Sequence, residues 1–225
     1  MMTWFGNMKT MWKLILGFAL TGVLVIIMGG ILAQGILSIR DQLRVVYEDY
    51  TVAGTDLASV ANNLNRTRTN DFVALDASTI EEYRQIVSRD AEVTESVKKP
   101  LEAYAVTVLR ISKSGRDEAK DLQKFRDAYA AYVESSNLVY ETLKQAWSAP
   151  TKSEMEALRA KAHTISSSNS GPKMEATIVA LNELLATVKE VAKDMNDAGI
   201  GTVSSSLSTL IVGSTTVIVL GVFIG

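Results

Sequence analysis

Two long runs without a charged residue stand at the ends of the 225-residue chain, at positions 14–39 and 198–225. Each run is longer than the roughly 20 apolar residues that a helix needs to cross a bilayer. The part between them is charged and strongly periodic. We therefore predict transmembrane helices over 14–37 and 204–225, with residues 38–197 forming one domain between them.

The middle part carries apolar residues every three or four positions in four successive stretches, which indicates helices packed nearly parallel. We expect the second helix to begin at a Ser78 or Thr79 N-cap and to end at 112–115, and the third to begin at Asp117. A small-residue loop over 166–171 should precede a fourth helix, with Pro172 at its first position. The prediction is an all-α, antiparallel up-down-up-down four-helix bundle, with two transmembrane helices continuous with its first and last helices.

Composition narrows the chemistry of the chain. The net charge of −2 supplies no basic field for nucleic acid, so we predict no nucleic-acid partner. The absence of cysteine excludes disulfides, thiolate metal sites and a cysteine nucleophile. His163, the one histidine, has no carboxylate cluster at metal-ligand spacing, and no phosphate loop or nucleophile elbow occurs. We predict no enzyme activity, no catalytic residue, no metal and no cofactor.

The residues before the first apolar run set the predicted orientation. Lys9 and Lys13 lie there without an acidic residue, which places residues 1–13 in the cytoplasm and the middle domain outside. A cleaved signal peptide is the competing interpretation. The apolar run is long for that role, and Ile31 stands where the cleavage site needs a small residue. We interpret the first run as an uncleaved membrane anchor.

Five polar residues interrupt the otherwise apolar seams in the distal half of the bundle. They are Thr67, Asp71, Asp90, Thr94 and Ser136. One interpretation is a polar pocket between helices. The other is a layer that sets helix register, or a slight rotation that turns these side chains to water. For Asp71, a solvated helix face shared with Arg66 and Arg68 also fits.

Three short sequences resemble parts of bacterial methyl-accepting chemotaxis receptors. The stretch Lys9-Thr-Met-Trp-Lys13-Leu-Ile-Leu-Gly-Phe is similar to the start of the first membrane helix in that family. Leu64-Asn-Arg-Thr-Arg68 resembles the first sensor helix of the amino-acid receptors, and Gly171-Pro172-Lys173 lies where they have a proline before a ligand contact. The layout of span, four helices and span covers essentially the whole chain.

This resemblance implies a homodimer in the bacterial inner membrane, with the bundle on the periplasmic side. It implies a small-molecule effector, bound directly or through a periplasmic binding protein. The signal would pass through the second span to a cytoplasmic linker and a kinase-controlling hairpin. Neither part occurs in the 225 residues, so we expect a chain that ends before its signalling domain.

The resemblance carries over only part of a ligand site. Of the three arginines that amino-acid receptors place on the first sensor helix, Arg68 matches the first, but Val73 and Ala77 stand at the other two positions. A clamp for an α-carboxylate is therefore not predicted, although Arg68 and Lys173 would still hold an anion. The candidate ligand-binding residues are Arg68, Asp71, Asp90, Ser136 and Lys173.

Two other functions remain open from the sequence. The same sensor domain occurs on other outputs, such as a membrane histidine kinase or a cyclase. A membrane scaffold that uses the bundle as a dimerisation rod, without sensing, would have the same pattern of helices.

Overall fold

The computed structural model describes residues 9–224, apart from the side chains at 48, 49 and 220–224. Six α-helices make up nearly all of this part. They are α1 (Thr10–Val45), α2 (Val52–Asp76), α3 (Ile80–Ala105), α4 (Glu118–Trp147), α5 (Lys152–Ile165) and α6 (Gly171–Ile224). A π-helical turn, Val46–Thr51, joins α1 to α2, and another, Ser166–Ser170, joins α5 to α6. The predicted all-α four-helix bundle, with end helices that continue into membrane-length segments, is confirmed.

The chain divides into two compact units, one of Met1–Val46 with Met195–Gly225 and one of Tyr47–Asp194. In the first unit, α1 and the end of α6 are long and apolar enough to cross a membrane. Their most apolar segments are not buried, and Phe18 is 77% exposed. Such a surface fits a lipid environment better than water.

Small residues allow the two helices of this unit to approach closely. A Cβ at Gly35 would lie 2.5 Å from Ser206 Oγ, and one at Gly213 would lie 2.7 Å from the Met28 side chain. Close approach of backbones is how helices associate where the surrounding lipid is as apolar as they are.

Helix starts in the second unit follow the predicted capping chemistry. Thr79 Oγ1 accepts a hydrogen bond from the Glu82 N–H at 3.1 Å, and Asp117 Oδ1 accepts one from Ala119 at 2.9 Å. Side-chain oxygens at these positions satisfy N–H groups that have no partner within the helix. The predicted starts of the second and third bundle helices are therefore confirmed.

The second bundle helix ends earlier than expected, at Ala105 rather than at 112–115. The following residues form a tight antiparallel link in which Ser112 N donates to Arg116 O at 2.8 Å. Gly115 turns this link with a φ of 92°, in the left-handed region that favours glycine. Val108 and Ile111 extended the apolar pattern, but they lie exposed, and the helical prediction was wrong here.

The expected loop at 166–171 is also wrong, because the backbone stays helical from Lys152 onward. Ser168 Oγ donates to Thr164 O at 2.6 Å, and Ser166 and Ser170 are buried. The wider π-helical turn places Pro172, which has no N–H to donate, just after a segment with altered hydrogen bonding. Small serines here pack within the bundle instead of marking a break.

The core of the bundle is formed by one face of each helix. A cluster at one end joins α2, α3, α4 and α5 through residues such as Leu75, Ile86, Leu143 and Ala162. Tyr83 in this cluster donates its hydroxyl to Tyr140 O at 2.7 Å. Most of the buried side chains are apolar, so buried carboxylates such as those of Asp71 and Asp90 are exceptions within this core.

Candidate functional site

Asp71, on α2, lies inside the bundle with only 5% of its surface exposed. Its carboxylate accepts hydrogen bonds from Tyr132 Oη at 2.5 Å and from Ser136 Oγ at 2.6 Å, both on α4. Burial raises the pKa of Asp71, and these two hydrogen bonds offset part of the rise. Asp71 is therefore a buried acid held by neutral donors.

Asp90, on α3, is a second buried carboxylate in the same region. It accepts a hydrogen bond from Asn70 Nδ2 on α2 at 3.3 Å. Burial raises the pKa of Asp90 to about 6, the Asn70 bond lowers it, and the nearby charge of Asp71 raises it. Both acids therefore titrate above the usual range of aspartate, chiefly because they are buried.

The Tyr140 hydroxyl lies near both carboxylates. It is close enough to lower the pKa of Asp71 and of Asp90, but within the part of the chain that the structure describes it forms no hydrogen bond of standard geometry. Tyr140 is only 7% exposed. Its own pKa is raised chiefly by burial and, to a smaller extent, by the charges of Asp71 and Asp90. A buried hydroxyl without a well-formed hydrogen bond costs folding free energy. Such groups are uncommon in native structures, and they can mark a functional site.

A cavity of about 380 Å³ opens beside these groups, walled by α2, α3 and α4. Its polar lining includes the side chains of Thr67, Asp90, Thr94, Glu95, Lys98, Tyr132, Ser136 and Tyr140. This volume falls in the lower part of the range for small-molecule sites, which is about 300–1,000 Å³. The arrangement can enclose a small ligand and offer it carboxylate and hydroxyl oxygens.

A second cavity, of about 260 Å³, lies on the other side of Tyr132. Arg68, Asp71 and three serines of the π-helical turn, Ser166, Ser167 and Ser170, contribute to its wall. Arg68 itself is exposed, and its guanidinium lies 5.7 Å from the centre of the Phe72 ring. The Asp71–Tyr132 pair therefore lies between two cavities. The first is lined by acidic side chains, and the second by Arg68 and serines.

The structure brings together three of the five candidate residues. Asp71, Asp90 and Ser136 form one polar cluster, which we call the Asp71–Asp90 cluster together with Asn70, Tyr132 and Tyr140. Arg68 lines only the second cavity, and Lys173 lines neither cavity. Arg68 and Lys173 were expected to hold an anion together, but neither of these two cavities is lined by both residues.

The solvated interpretation of the polar seam is wrong for its acidic residues. Thr67, Asp71, Asp90 and Ser136 are all buried, and Thr94 is partly buried. Arg66 and Arg68 are exposed as expected, but Asp71 turns away from them into the core. The exposed His163 lies outside the cluster.

The tyrosines of the cluster were not predicted from the sequence, because tyrosines spread along helices are common packing residues. Tyr129, Tyr132, Ser136 and Tyr140 follow one another at helical spacing on a single face of α4. Burial raises the pKa of Tyr129 to about 12, with Asp90 and Glu95 adding to the rise. A row of hydroxyl side chains on one face of a helix, together with aspartates in the apolar seams of neighbouring helices, is the sequence pattern that would have indicated these tyrosines.

A family model described as a four helix bundle sensory module for signal transduction matches residues 7–202. The chain belongs to this family. It is the sensory module of methyl-accepting chemotaxis proteins, and the match covers the bundle and most of the flanking helices. A comparison with curated protein sequences gives no match.

The family assignment gives the sensory module a chemosensory input role in a membrane protein with two candidate spans. The family is a signalling module rather than a catalytic one. Within the described part of the chain, no group of three or more acidic or histidine side chains is arranged to hold a metal ion. The Asp71–Asp90 cluster and its cavity are therefore considered below as an input site.

Proposed function

We propose that this sensory module binds a small extracellular effector in the bundle and transmits a conformational change through its second membrane helix to a cytoplasmic signalling domain. The observation that carries the proposal is the 380 Å³ cavity walled by α2, α3 and α4. A cavity shared by three helices is a place where a ligand can favour one arrangement of those helices over another. The family match supports the signalling role.

The proposal includes a membrane topology. Lys9 and Lys13 precede the first span, so the amino terminus lies in the cytoplasm and the bundle in the periplasm of a bacterial inner membrane. The effector reaches the site from outside, either free or carried by a periplasmic binding protein. The module works as a homodimer, as the resemblance implies.

Transmission requires that the effector bind two helix arrangements with different affinity, because a ligand shifts an equilibrium only by that difference. Helix shifts of about 1–2 Å are typical of such transitions. In the first unit, Gln42 Nε2 donates to Thr202 Oγ1 at 3.3 Å and so links α1 to α6. A shift of α6 against α1 would change this contact.

Cysteine crosslinking can detect that shift, since the native chain has no cysteine. The double variant Gln42→Cys/Thr202→Cys places two thiols where side chains now touch. We expect the rate of disulfide formation in membranes to change when an effector is added. Each single variant, Gln42→Cys or Thr202→Cys, is the control, because one cysteine per chain can form disulfides only between chains.

The outcome separates sensing from scaffolding. An effector that alters the rate of disulfide formation in the Gln42/Thr202 pair, but not in the single variants, supports transmission. A ligand that binds without changing the rate in the Gln42/Thr202 pair would contradict the proposed function and favour a scaffold.

A further inference from the structure

The charge around the 380 Å³ cavity has an acidic excess. Asp90 and Glu95 line it, Asp71 lies behind Ser136, and Lys98 is the single basic residue of the lining. Lys98 Nζ already pairs with Glu95 at 3.0 Å at the exposed edge. Within the described residues, neither Asp71 nor Asp90 forms an ion pair. The site thus holds buried negative charge without a matching cation.

The cavity also presents a hydroxyl without a well-formed hydrogen bond. The Tyr140 hydroxyl is buried and lines the cavity near both carboxylates, and among the described residues it forms no hydrogen bond of standard geometry. Tyr132 and Tyr140 contribute aromatic surface to the same wall. Carboxylates beside aromatic rings are the environment that organic cations prefer, through charge and through cation–π attraction.

We propose that this cavity binds a small organic cation, with an ammonium group between the Asp90 carboxylate and the Tyr140 hydroxyl. This inference rests on the proposed sensing function and names the chemical class of its effector. An ammonium group donates to the carboxylate and to the hydroxyl oxygen at once, and so supplies both the missing positive charge and a well-formed hydrogen bond for the hydroxyl. An anion would meet Asp90 and Glu95 instead, which is the reverse of the site expected around Arg68 and Lys173.

Protonation gives the proposal a second signature. Asp90 faces Asp71 and Asn70 from α2, Tyr129, Tyr132 and Tyr140 from α4, and Glu95 and Lys98 on its own helix. With a pKa of about 6, Asp90 loses its charge as the pH falls below that value. The affinity for an amine should therefore fall at acidic pH, while the amine itself stays protonated throughout.

The test uses the full chain in lipid nanodiscs and ligands of one shape but different charge. Benzylamine and butylamine are compared with benzyl alcohol, butanol, benzoate and butyrate by thermal shift and titration calorimetry. We expect the amines to raise the melting temperature and their neutral and anionic counterparts to have no effect. The affinity for an amine should fall about tenfold in Asp90→Asn.

Three variants guard against misfolding and general charge effects. Tyr140→Phe keeps the ring and removes only the hydroxyl, so a weaker response there locates the ammonium group. Glu95→Gln changes an exposed acid of the lining. Asp127→Asn is the matched control, because Asp127 is an exposed acid that lines a different groove, and it should keep the full response.

Two results would overturn the cation site. One is that neither amine stabilises the wild-type chain more than its alcohol and carboxylate do. The other is an amine response that stays complete in both Asp90→Asn and Tyr140→Phe.

The crosslinking assay keeps this result separate from the proposed function. If amines bind through Asp90 but the Gln42/Thr202 crosslinking rate does not change, the site stands and the proposed transmission fails. If a carboxylate changes the rate and Asp90→Asn has no influence, the sensing function stands and the cation site fails.

Discussion

Glu118 and the pair Asp71–Asp90 are carboxylates buried in the same bundle, but their surroundings differ. Glu118 is 1% exposed, and its Oε2 accepts a hydrogen bond from the Arg110 N–H at 2.7 Å. The Arg110 guanidinium donates to Tyr50 Oη at 3.0 Å. Among the described residues, Asp71 and Asp90 receive hydrogen bonds from hydroxyl and side-chain amide groups and from no cationic side chain.

The difference separates a structural acid from a candidate binding acid. Glu118 ties the link after α3 to the first turn of α4, since the Glu118 N–H also donates to Arg110 O at 3.1 Å. The Asp71–Asp90 cluster leaves its charge uncompensated next to an open cavity. A buried charge without a counter-charge weakens the fold, and sites that bind ligands commonly carry such a cost. Matched changes at Glu118 and in the Asp71–Asp90 cluster should therefore have different effects.

The largest effect is expected at the structural acid. Glu118→Gln removes the charge but keeps the shape, and hydrogen bonds to charged groups contribute about 1.5–3 kcal/mol. We expect the melting temperature of the full chain, followed by circular dichroism, to fall by about 4–8 °C. Glu134→Gln, an exposed change on the same helix, should have no effect. An unchanged melting temperature in Glu118→Gln would remove the contrast between the clusters.

The same chemical change at Asp90 should act in the opposite direction. The folded-state pKa of about 6 lies above the ordinary aspartate pKa of 3.8. The folded chain therefore binds more protons between these values, and Asp90 lowers stability as the pH rises through about 6. After allowance for solvent screening, the loss is about 1–2 kcal/mol. Asp90→Asn should regain this amount near neutral pH.

Melting curves between about pH 4 and pH 8 check the sign of this effect. The wild-type chain should lose stability as the pH rises from about 4 to about 6. Groups that titrate in both chains affect both profiles equally, so the difference between the profiles reports on Asp90. Asp90→Asn should show a flatter profile, and Asp71→Asn should change it in the same direction because burial also raises the pKa of Asp71. Asp127→Asn serves as the exposed control. A profile that is the same in wild type and Asp90→Asn would show that Asp90 is not buried as described.

Much of this fold follows from sequence because it depends on local rules. Helix starts at Thr79 and Asp117 follow from capping chemistry, and the bundle follows from apolar spacing. The end of α3 and the π-helical turn at Ser166–Ser170 depend on tertiary contacts instead. Exposed Val108 resembled a core position, and buried serines resembled a loop.

The candidate site was predicted in part for a related reason. A polar residue in an apolar seam shows that something interrupts the core, and this led to Asp71, Asp90 and Ser136. Which helices meet, and at what height, decides whether such residues join. The seam pattern does not contain the pairing of Tyr132 with Asp71 across 61 positions of sequence.

A smaller effect is expected at the turn that positions the Arg110 backbone. Gly115 has a φ of 92°, and a Cβ there would meet no neighbour, so Gly115→Ala introduces only backbone strain of about 1 kcal/mol. The melting temperature should fall by about 2–4 °C. Gly54→Ala, within α2, also meets no neighbour and should stabilise the chain instead. If Gly115→Ala also abolished the amine response, the two clusters would not be independent.

The smallest change in stability is expected at the edge of the cavity. Lys98 and Glu95 form an exposed pair, and such pairs contribute about 0–1 kcal/mol, so Lys98→Gln should leave the melting temperature within about 2 °C. It should nevertheless raise the affinity for benzylamine about two- to threefold, because it removes the positive charge of the cavity lining, which repels the bound ammonium group. Lys152→Gln, in an exposed pair with Glu156 on α5, is the matched control and should leave benzylamine binding unchanged. Titration calorimetry of both variants measures their affinity for benzylamine. Equal or weaker binding by Lys98→Gln would mean that the charge of Lys98 does not act on the ligand. The acidic residues of the cavity would then have a structural role, like Glu118.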